Sequence, residues 1–147
     1  MKNLSATMDR PKIGVVLVTS GWFRDIGLQQ EGSETTSRIG ELSAGITERL
    51  EAFAEPIYHG VLYSEDEAVA AGKEIRAAGV EAVLLAPLMW CEDQIVRACL
   101  KEIPRVPIIL WSFSPTTALP RYLEFQTMLQ GSGTVCTLQL SGMLKRE

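Results

Sequence analysis

One apolar run constrains the fold of this chain more than any other feature. Residues 13–19 read IGVVLVT, a continuous segment rich in β-branched side chains. Such a run is typical of a parallel strand buried on both faces, whereas a half-exposed strand alternates apolar with polar residues. Similar runs stand at 81–88 (EAVLLAPL) and 106–112 (VPIILWS), and a weaker one stands at 56–63. These four runs predict strands of one parallel sheet.

The residues between these runs show the periodicity of helices. After the first run, apolar residues recur at steps of three and four, as on one face of a helix: Ile39, Leu42, Ile46, Leu50 and Phe53. Ser64, with Glu67 three residues later, predicts a capping box that opens an alanine-rich helix, and Gly79 predicts its end. Further helices are predicted at 91–103 and from Pro120 to about Gln130, whereas residues 20–35 have the pattern of a polar, glycine-punctuated loop.

The alternation of strands and helices continues to the end of the chain, where residues 134–138 predict a fifth strand. Alternating strands and helices form a parallel sheet covered on both faces, with right-handed crossovers. We therefore expect a single three-layer α/β, Rossmann-like domain over residues 12–147, with a flexible leader at 1–11 and the flavodoxin-like strand order 2-1-3-4-5. Ser141 predicts the start of a further helix that Glu147 interrupts, a pattern that suggests a longer protein continuing beyond it.

Charge and cysteine content restrict the classes of partner. The 147 residues carry a net charge of -4 and a pI near 5.1, which argues against a dedicated nucleic-acid or anionic-membrane binder. The longest apolar stretch, residues 82–90, is far shorter than the ~18 residues of a membrane-spanning helix, and the polar N-terminus lacks a signal-peptide pattern. Three cysteines without CxxC spacing predict reduced, mostly buried thiols. We therefore expect a cytoplasmic protein.

Candidate binding residues follow the predicted strands, at the edge where open parallel sheets bind ligands. Trp22 and Arg24 follow the first strand, and Trp90 follows the third. Indole rings stack on the C–H faces of sugars and a guanidinium donates to hydroxyl groups, so this combination suits a polyol ligand. Each residue also has a purely structural interpretation: Trp22 as a loop plug, Trp90 as a hydrophobic staple, Arg24 as a surface partner of Asp25 or Glu31, and Trp111, in the fourth run, as core.

The residue types at these positions argue against several other functions. Residues 20–21 and 87–88 are not acidic, although a two-component receiver carries acidic residues there. The glycine-rich residues 131–133 precede a predicted strand instead of following one, so they do not form a dinucleotide fingerprint. Residues 19–21 begin a hydroxyl-rich phosphate loop of the kind that binds FMN, but residues 22–24 interrupt it.

The same loops carry a resemblance to a known family. The segments are 12–29 (KIGVVLVTSGWFRDIGLQ), 86–93 (APLMWCED), 108–119 (IILWSFSPTTAL) and 130–146 (QGSGTVCTLQLSGMLKR). In these segments the chain resembles the N-terminal domain of the L-fucose and L-arabinose isomerase superfamily. The resemblance implies a parallel α/β domain of a manganese-dependent ketol-isomerase that interconverts an aldose and a ketose. It also implies that this domain contacts the sugar, through Arg24 and Trp90, and covers the catalytic domains of a neighbouring subunit in a homo-oligomer.

The resemblance further implies that the Mn²⁺ ligands and the acid/base carboxylates belong to later domains, which have no counterpart in this chain. We therefore expect a substrate-contacting and assembly domain that does not catalyse isomerisation alone, with no catalytic or metal-binding residues and with Trp22, Arg24 and Trp90 as its sugar-binding residues. The alternative is a stand-alone flavodoxin-like module that binds a small molecule such as FMN or a sugar.

Overall fold

The first strand of the chain lies inside the sheet and organises the fold. The structure, a computed structural model, describes residues 10–29, 34–114, 117–118, 121–122 and 125–146. Its elements, in chain order, are β1 (Lys12–Val18), α1 (Gly21–Gln29), α2 (Glu34–Glu51), β2 (Glu55–Leu62), α3 (Glu65–Ala78), β3 (Ala82–Pro87), α4 (Asp93–Glu102), β4 (Ile108–Leu110), α5 (Phe125–Gln130) and α6 (Gly133–Leu144).

The strands form a parallel sheet in the order β2-β1-β3-β4. Val15 of β1 is paired with Tyr58 of β2 on one side and with Leu84 of β3 on the other. The crossover from β1 to β2 places α2 on one face, and the crossovers through α3 and α4 cover the other. The α/β class and the relative order of the first four strands are therefore those predicted from the sequence.

Consecutive residues of β1 point into two different cores, as a strand buried on both faces requires. Val16 and Val18 contact the core beneath α3, α4 and α6, which includes Ile75. Leu17 contacts the opposite core, which includes Ile39 of α2. Helices therefore cover both faces of the sheet.

The prediction of a fifth strand at residues 134–138 is wrong, because these residues lie within α6. The β-branched residues of this segment favour a strand locally. The buried positions, however, are spaced by three and four residues, as on one face of a helix: Gly133, Cys136, Leu140 and Met143. The sheet of the described residues has four strands, and Ser141, predicted to open a helix, lies inside α6 instead.

The prediction of a loop over residues 20–35 is also wrong. Helix α1 begins at Gly21, and the main chain turns there because Phe23 N–H donates to the Ser20 carbonyl oxygen at 3.1 Å. Phe23 is buried in the core, so burial of its ring outweighs the turn-forming tendency of the nearby glycines. Helix α2 begins at Glu34, five residues before Ile39, where the predicted apolar pattern starts, and residues 30–33 lie outside the described residues.

The capping box predicted for α3 is confirmed. Ser64 Oγ accepts a hydrogen bond from the Glu67 backbone N–H at 3.3 Å, and Gly79 ends the helix in the left-handed conformation with φ of 67°. The prediction that α5 begins at Pro120 falls outside the described residues, as do residues 1–9 of the predicted leader and Glu147. In the described part of the chain, no helix combines the length and apolar character that crossing a membrane requires.

Candidate functional site

The carboxyl ends of β1 and β3 are joined by main-chain hydrogen bonds. Leu88 N–H donates to the Val18 carbonyl oxygen at 2.9 Å, and Ser20 N–H donates to the Trp90 carbonyl oxygen at 2.9 Å. These bonds continue the sheet pairing past the last strand residues. The two loops therefore lie side by side at the edge where ligands bind in sheets of this class.

A serine–glutamate pair connects these two loops. Ser20 Oγ donates to Glu92 Oε1 at 2.9 Å and accepts from Trp22 N–H at 3.3 Å. The second carboxylate oxygen, Glu92 Oε2, is buried and has no hydrogen-bond partner among the described residues. A buried carboxylate oxygen without a donor is destabilising, which makes Glu92 an unusual residue at this edge of the sheet.

An acidic cleft lies on one side of this pair. It has a volume of about 590 Å³, within the range of small-molecule sites. Hydroxyl groups of Ser20 and Ser64 lie in its wall together with three carboxylates, which come from α1, α3 and the loop before α4: Asp25, Glu65 and Glu92. This lining offers acceptors for hydroxyl groups and repels anions.

An aromatic cleft of about 430 Å³ lies next to the acidic cleft. Ser20, Trp22 and Glu92 line both clefts, and the aromatic cleft adds Trp90 and Phe23. Trp22 is 50% exposed and Trp90 is 38% exposed, so both indole rings present surface to a ligand. The Trp22 and Phe23 rings meet edge to face, with centroids 5.1 Å apart. Two of the three predicted site residues, Trp22 and Trp90, therefore line one cleft.

Residues from the end of the chain hold Trp90 in place. Trp90 N–H donates to Ser132 Oγ at 2.9 Å, and Trp90 Nε1–H donates to Gln139 Oε1 at 3.1 Å. Gln139 Nε2–H in turn donates to Asp93 Oδ1 at 2.6 Å. Ser132 and Gln139 lie on either side of the predicted strand at 134–138, and an isolated Ser or Gln carries no motif, so neither was predicted as a site residue.

The third predicted residue, Arg24, turns toward α3. Its Nη1 lies 2.5 Å from Glu67 Oε1, and its guanidinium carbon lies 4.7 Å from the centroid of the Tyr63 ring. The hydrogen bond that Arg24 donates to Glu67 raises the pKa of Arg24. Burial opposes ionisation of Glu67, but the hydrogen bonds from Arg24 and from Tyr63 N–H outweigh it, so the pKa of Glu67 lies below its ordinary value.

The partner of Arg24 is thus Glu67, and not Asp25 or Glu31, the partners considered from the sequence; Glu31 lies outside the described residues. Trp111 lies away from both clefts. It packs against the core on the α2 side of the sheet, with its ring centroid 5.4 Å from that of Phe113. This position agrees with its structural interpretation.

Within the described ranges, no three His, Cys, Asp or Glu side chains are grouped closely enough to hold a metal ion. The described residues therefore do not fit the Mn²⁺ site that the family resemblance implies for a complete isomerase, and no chemical step at this edge is assigned to a metal. The residues that are present can bind and orient a ligand through carboxylates, hydroxyl groups and indole rings.

The structure is that of an α/β protein with a parallel sheet, and its two clefts form a candidate ligand site, polar and aromatic, at the carboxyl edge of the sheet. No protein-family model matches the chain, and no curated protein matches it in sequence.

Proposed function

We propose that this chain is the sugar-contacting and assembly domain of an aldose–ketose isomerase of the L-fucose and L-arabinose type. In this proposal the two clefts contact the sugar, while Mn²⁺ and the groups that transfer protons belong to other domains or subunits of a cytoplasmic homo-oligomer. The chain alone binds and orients the substrate and does not turn it over.

The observation that carries the proposal is that Glu92 lines both clefts and shares the aromatic cleft with the exposed indole rings of Trp22 and Trp90. A carboxylate accepts strong hydrogen bonds from hydroxyl groups, and the faces of Trp22 and Trp90 suit the C–H groups of a sugar ring. This combination of acceptor and aromatic wall matches a neutral polyol better than other small ligands.

The charge of the acidic cleft also supports a sugar over FMN. A flavin phosphate placed against this edge would lie near the carboxylates of Asp25, Glu65 and Glu92, which repel it. The only arginine at the end of β1, Arg24, is already paired with Glu67. FMN binding remains the alternative outcome of the experiment below, because a bound flavin is directly visible.

In this proposal Arg24 supports the acidic cleft through its contact with Glu67. The same contact joins α1 to the start of α3 and supports Tyr63, which lines the acidic cleft. Because Arg24 is not among the residues that line the two clefts, we assign it a supporting role.

Backbone amide NMR of the whole chain, titrated with L-fucose, L-arabinose and FMN, tests the proposal. Sugar binding should shift the resonances of residues 20–25, 63–65 and 90–95 at millimolar concentrations. Glu92→Gln should weaken this binding about tenfold, since a hydrogen bond to a charged group is worth about 1.5 kcal/mol. Trp90→Ala should weaken it by at least about fivefold through loss of the aromatic wall.

Phe53→Ala is the matched control, because Phe53 is an exposed aromatic residue that lines a separate apolar groove against α2. This substitution should leave sugar binding unchanged. The proposal is contradicted if no sugar shifts the cleft resonances, if Glu92→Gln binds as well as the parent chain, or if FMN binds and sugars do not.

A further inference from the structure

Two cysteines that are 45 positions apart in the sequence meet in the core that α3, α4 and α6 cover. The sulfur atoms of Cys91 and Cys136 lie 3.3 Å apart, and both side chains are fully buried. Both cysteines are free thiols. The sequence spacing does not predict this pair, because Cys136 comes from α6, which was expected to be a strand.

The surrounding hydrogen bonds hold the two sulfur atoms in this position. On either side of Cys91, Trp90 N–H donates to Ser132 Oγ and the Asp93 carboxylate accepts from Gln139. Gln139 Nε2–H also donates to the Cys91 carbonyl oxygen at 3.4 Å. The loop after β3 is therefore attached to the segment carrying Cys136 on both sides of the thiol pair.

We propose that Cys91 and Cys136 are a redox-sensitive pair that hydrogen peroxide converts to an intramolecular disulfide. A disulfide has an S–S distance of about 2.05 Å, so the two sulfur atoms need to approach each other by only roughly 1.2 Å. This movement is small compared with the displacement needed to join cysteines on unrelated elements. The proposal stands independently of the sugar-binding function.

The reaction consumes one peroxide and releases two water molecules. The Cys136 sulfur attacks a peroxide oxygen, the O–O bond breaks, an S–O bond forms, and the thiol proton leaves with the departing hydroxide as water. The Cys91 sulfur then attacks the sulfur of this sulfenic acid. The S–S bond forms, the S–O bond breaks, and the Cys91 proton leaves with the hydroxyl group as the second water. Peroxide is reduced by the two electrons that the thiols lose.

Cys136 is the better first nucleophile of the two. The hydrogen bond from the Cys91 thiol lowers the pKa of Cys136, and the same contact, together with burial, raises the pKa of Cys91. Since the thiolate is the reactive form, this contact favours Cys136 as the first nucleophile and Cys91 as the resolving thiol.

Cys99 allows a comparison between a buried cysteine outside the pair and the two paired cysteines. It is also buried, and burial raises its pKa to about 12, so it is a poor nucleophile. It belongs to α4 and is not paired with another sulfur among the described residues. Burial alone therefore does not distinguish the three cysteines, whereas the sulfur–sulfur contact does.

The disulfide would fix the loop that carries Trp90 and Glu92 to α6. Both residues line the aromatic cleft, and Cys91 lies between them in the sequence. Oxidation would therefore restrict one wall of the cleft while leaving the Trp22 wall unchanged.

Peptide mapping of the native chain tests the proposal, because trypsin separates the three cysteines. Cleavage after lysine and arginine puts Cys91 in peptide 77–97, Cys99 in peptide 98–101 and Cys136 in peptide 122–145. The reduced chain is exposed to hydrogen peroxide, then alkylated with N-ethylmaleimide in denaturant, digested and analysed by mass spectrometry. We expect peptide 77–97 joined to peptide 122–145 as the main product, with Cys99 alkylated.

A second readout is thermal stability. Closing a loop of this length should raise Tm by roughly 5 to 10 °C, and a reductant should reverse the increase. Cys99→Ala is the matched control and should retain the cross-link, whereas Cys136→Ala should abolish it. The proposal is overturned if the native chain yields Cys91 and Cys136 alkylated or separately oxidised. It is also overturned if Cys99 joins the cross-links as often as it does when the chain is oxidised in urea.

Discussion

Gly133, at the start of α6, offers the sharpest test of how the end of the chain packs against the sheet. A methyl group at this position would lie 2.6 Å from the Pro87 carbonyl oxygen and 3.0 Å from the Leu88 carbonyl oxygen. Both atoms belong to the backbone at the end of β3, so neither can rotate away. An ordinary contact begins at 3.4 Å, and restoring it would move α6 by about 0.8 Å from the sheet.

The cost of Gly133→Ala follows from this movement. Overpacking of a close-packed site costs about 1 to 3 kcal/mol, while replacing a helical glycine by alanine gains at most about 1 kcal/mol and less at a helix end. We therefore expect a net loss of about 2 kcal/mol in the free energy of unfolding. Gly142, in the same helix, has no atom within 4 Å of the added methyl group. Gly142→Ala should therefore be stabilising by roughly 0.5 kcal/mol.

Urea unfolding followed by far-UV circular dichroism measures both variants against the parent chain. The opposite signs of the two effects are the diagnostic result, because a general intolerance of α6 to substitution would destabilise both. If Gly133→Ala is as stable as the parent chain, α6 does not approach the end of β3 as closely as described. The hydrogen bonds that Trp90 donates to Ser132 and Gln139 would then be incorrectly described as well.

Two further predictions concern the Glu67 contact and the core. Because the pKa of Glu67 is lowered from 4.5, its ionised form stabilises the fold above about pH 4.5, and this contribution is lost as the pH falls through the lowered pKa. Glu67→Gln should therefore lower the free energy of unfolding by roughly 0.5 to 1 kcal/mol at pH 7, and urea unfolding near pH 2 should show no difference from the parent chain. A difference that persists at low pH would contradict the electrostatic explanation. Leu17→Ala should lower the free energy of unfolding by about 3 kcal/mol, because Leu17 is fully buried. Leu138→Ala, at an exposed position of α6, should lower it by less than about 0.5 kcal/mol in the same assay. Equal losses would contradict the assigned burial.

The central strands were predictable because their burial on both faces produces a recognisable pattern within a short segment of sequence. A strand with both faces covered needs apolar residues at consecutive positions, and residues 13–19 meet that requirement. The capping residues Ser64 and Gly79 are equally local, since each acts on backbone groups within one helical turn. The α/β class and the start and end of α3 follow from such short-range signals.

The end of the chain was mispredicted because a tertiary contact decides its structure. Residues 134–138 include three β-branched side chains, which favour a strand when considered alone. What favours the helix is the packing of Cys136, Leu140 and Met143 against the core beneath α3 and α4. The close approach of Gly133 to the backbone after β3 adds a contact that only a residue without a side chain permits. The exposed apolar residues Val135 and Leu138 obscure the helical spacing of the buried positions, and the approach of Gly133 to the backbone after β3 leaves no local signal.

The same limitation determined which site residues were found. A loop after β1 would allow Trp22, Arg24 and Asp25 to face the ligand together, but α1 begins at Gly21, so successive side chains are rotated by about 100°. Trp22 and Asp25, three positions apart, share the acidic cleft, whereas Phe23 enters the core and Arg24 turns to Glu67. Asp25 is therefore the residue of α1 that should be tested with Trp22 as a direct ligand contact, although its isolated position in the sequence gave no reason to select it.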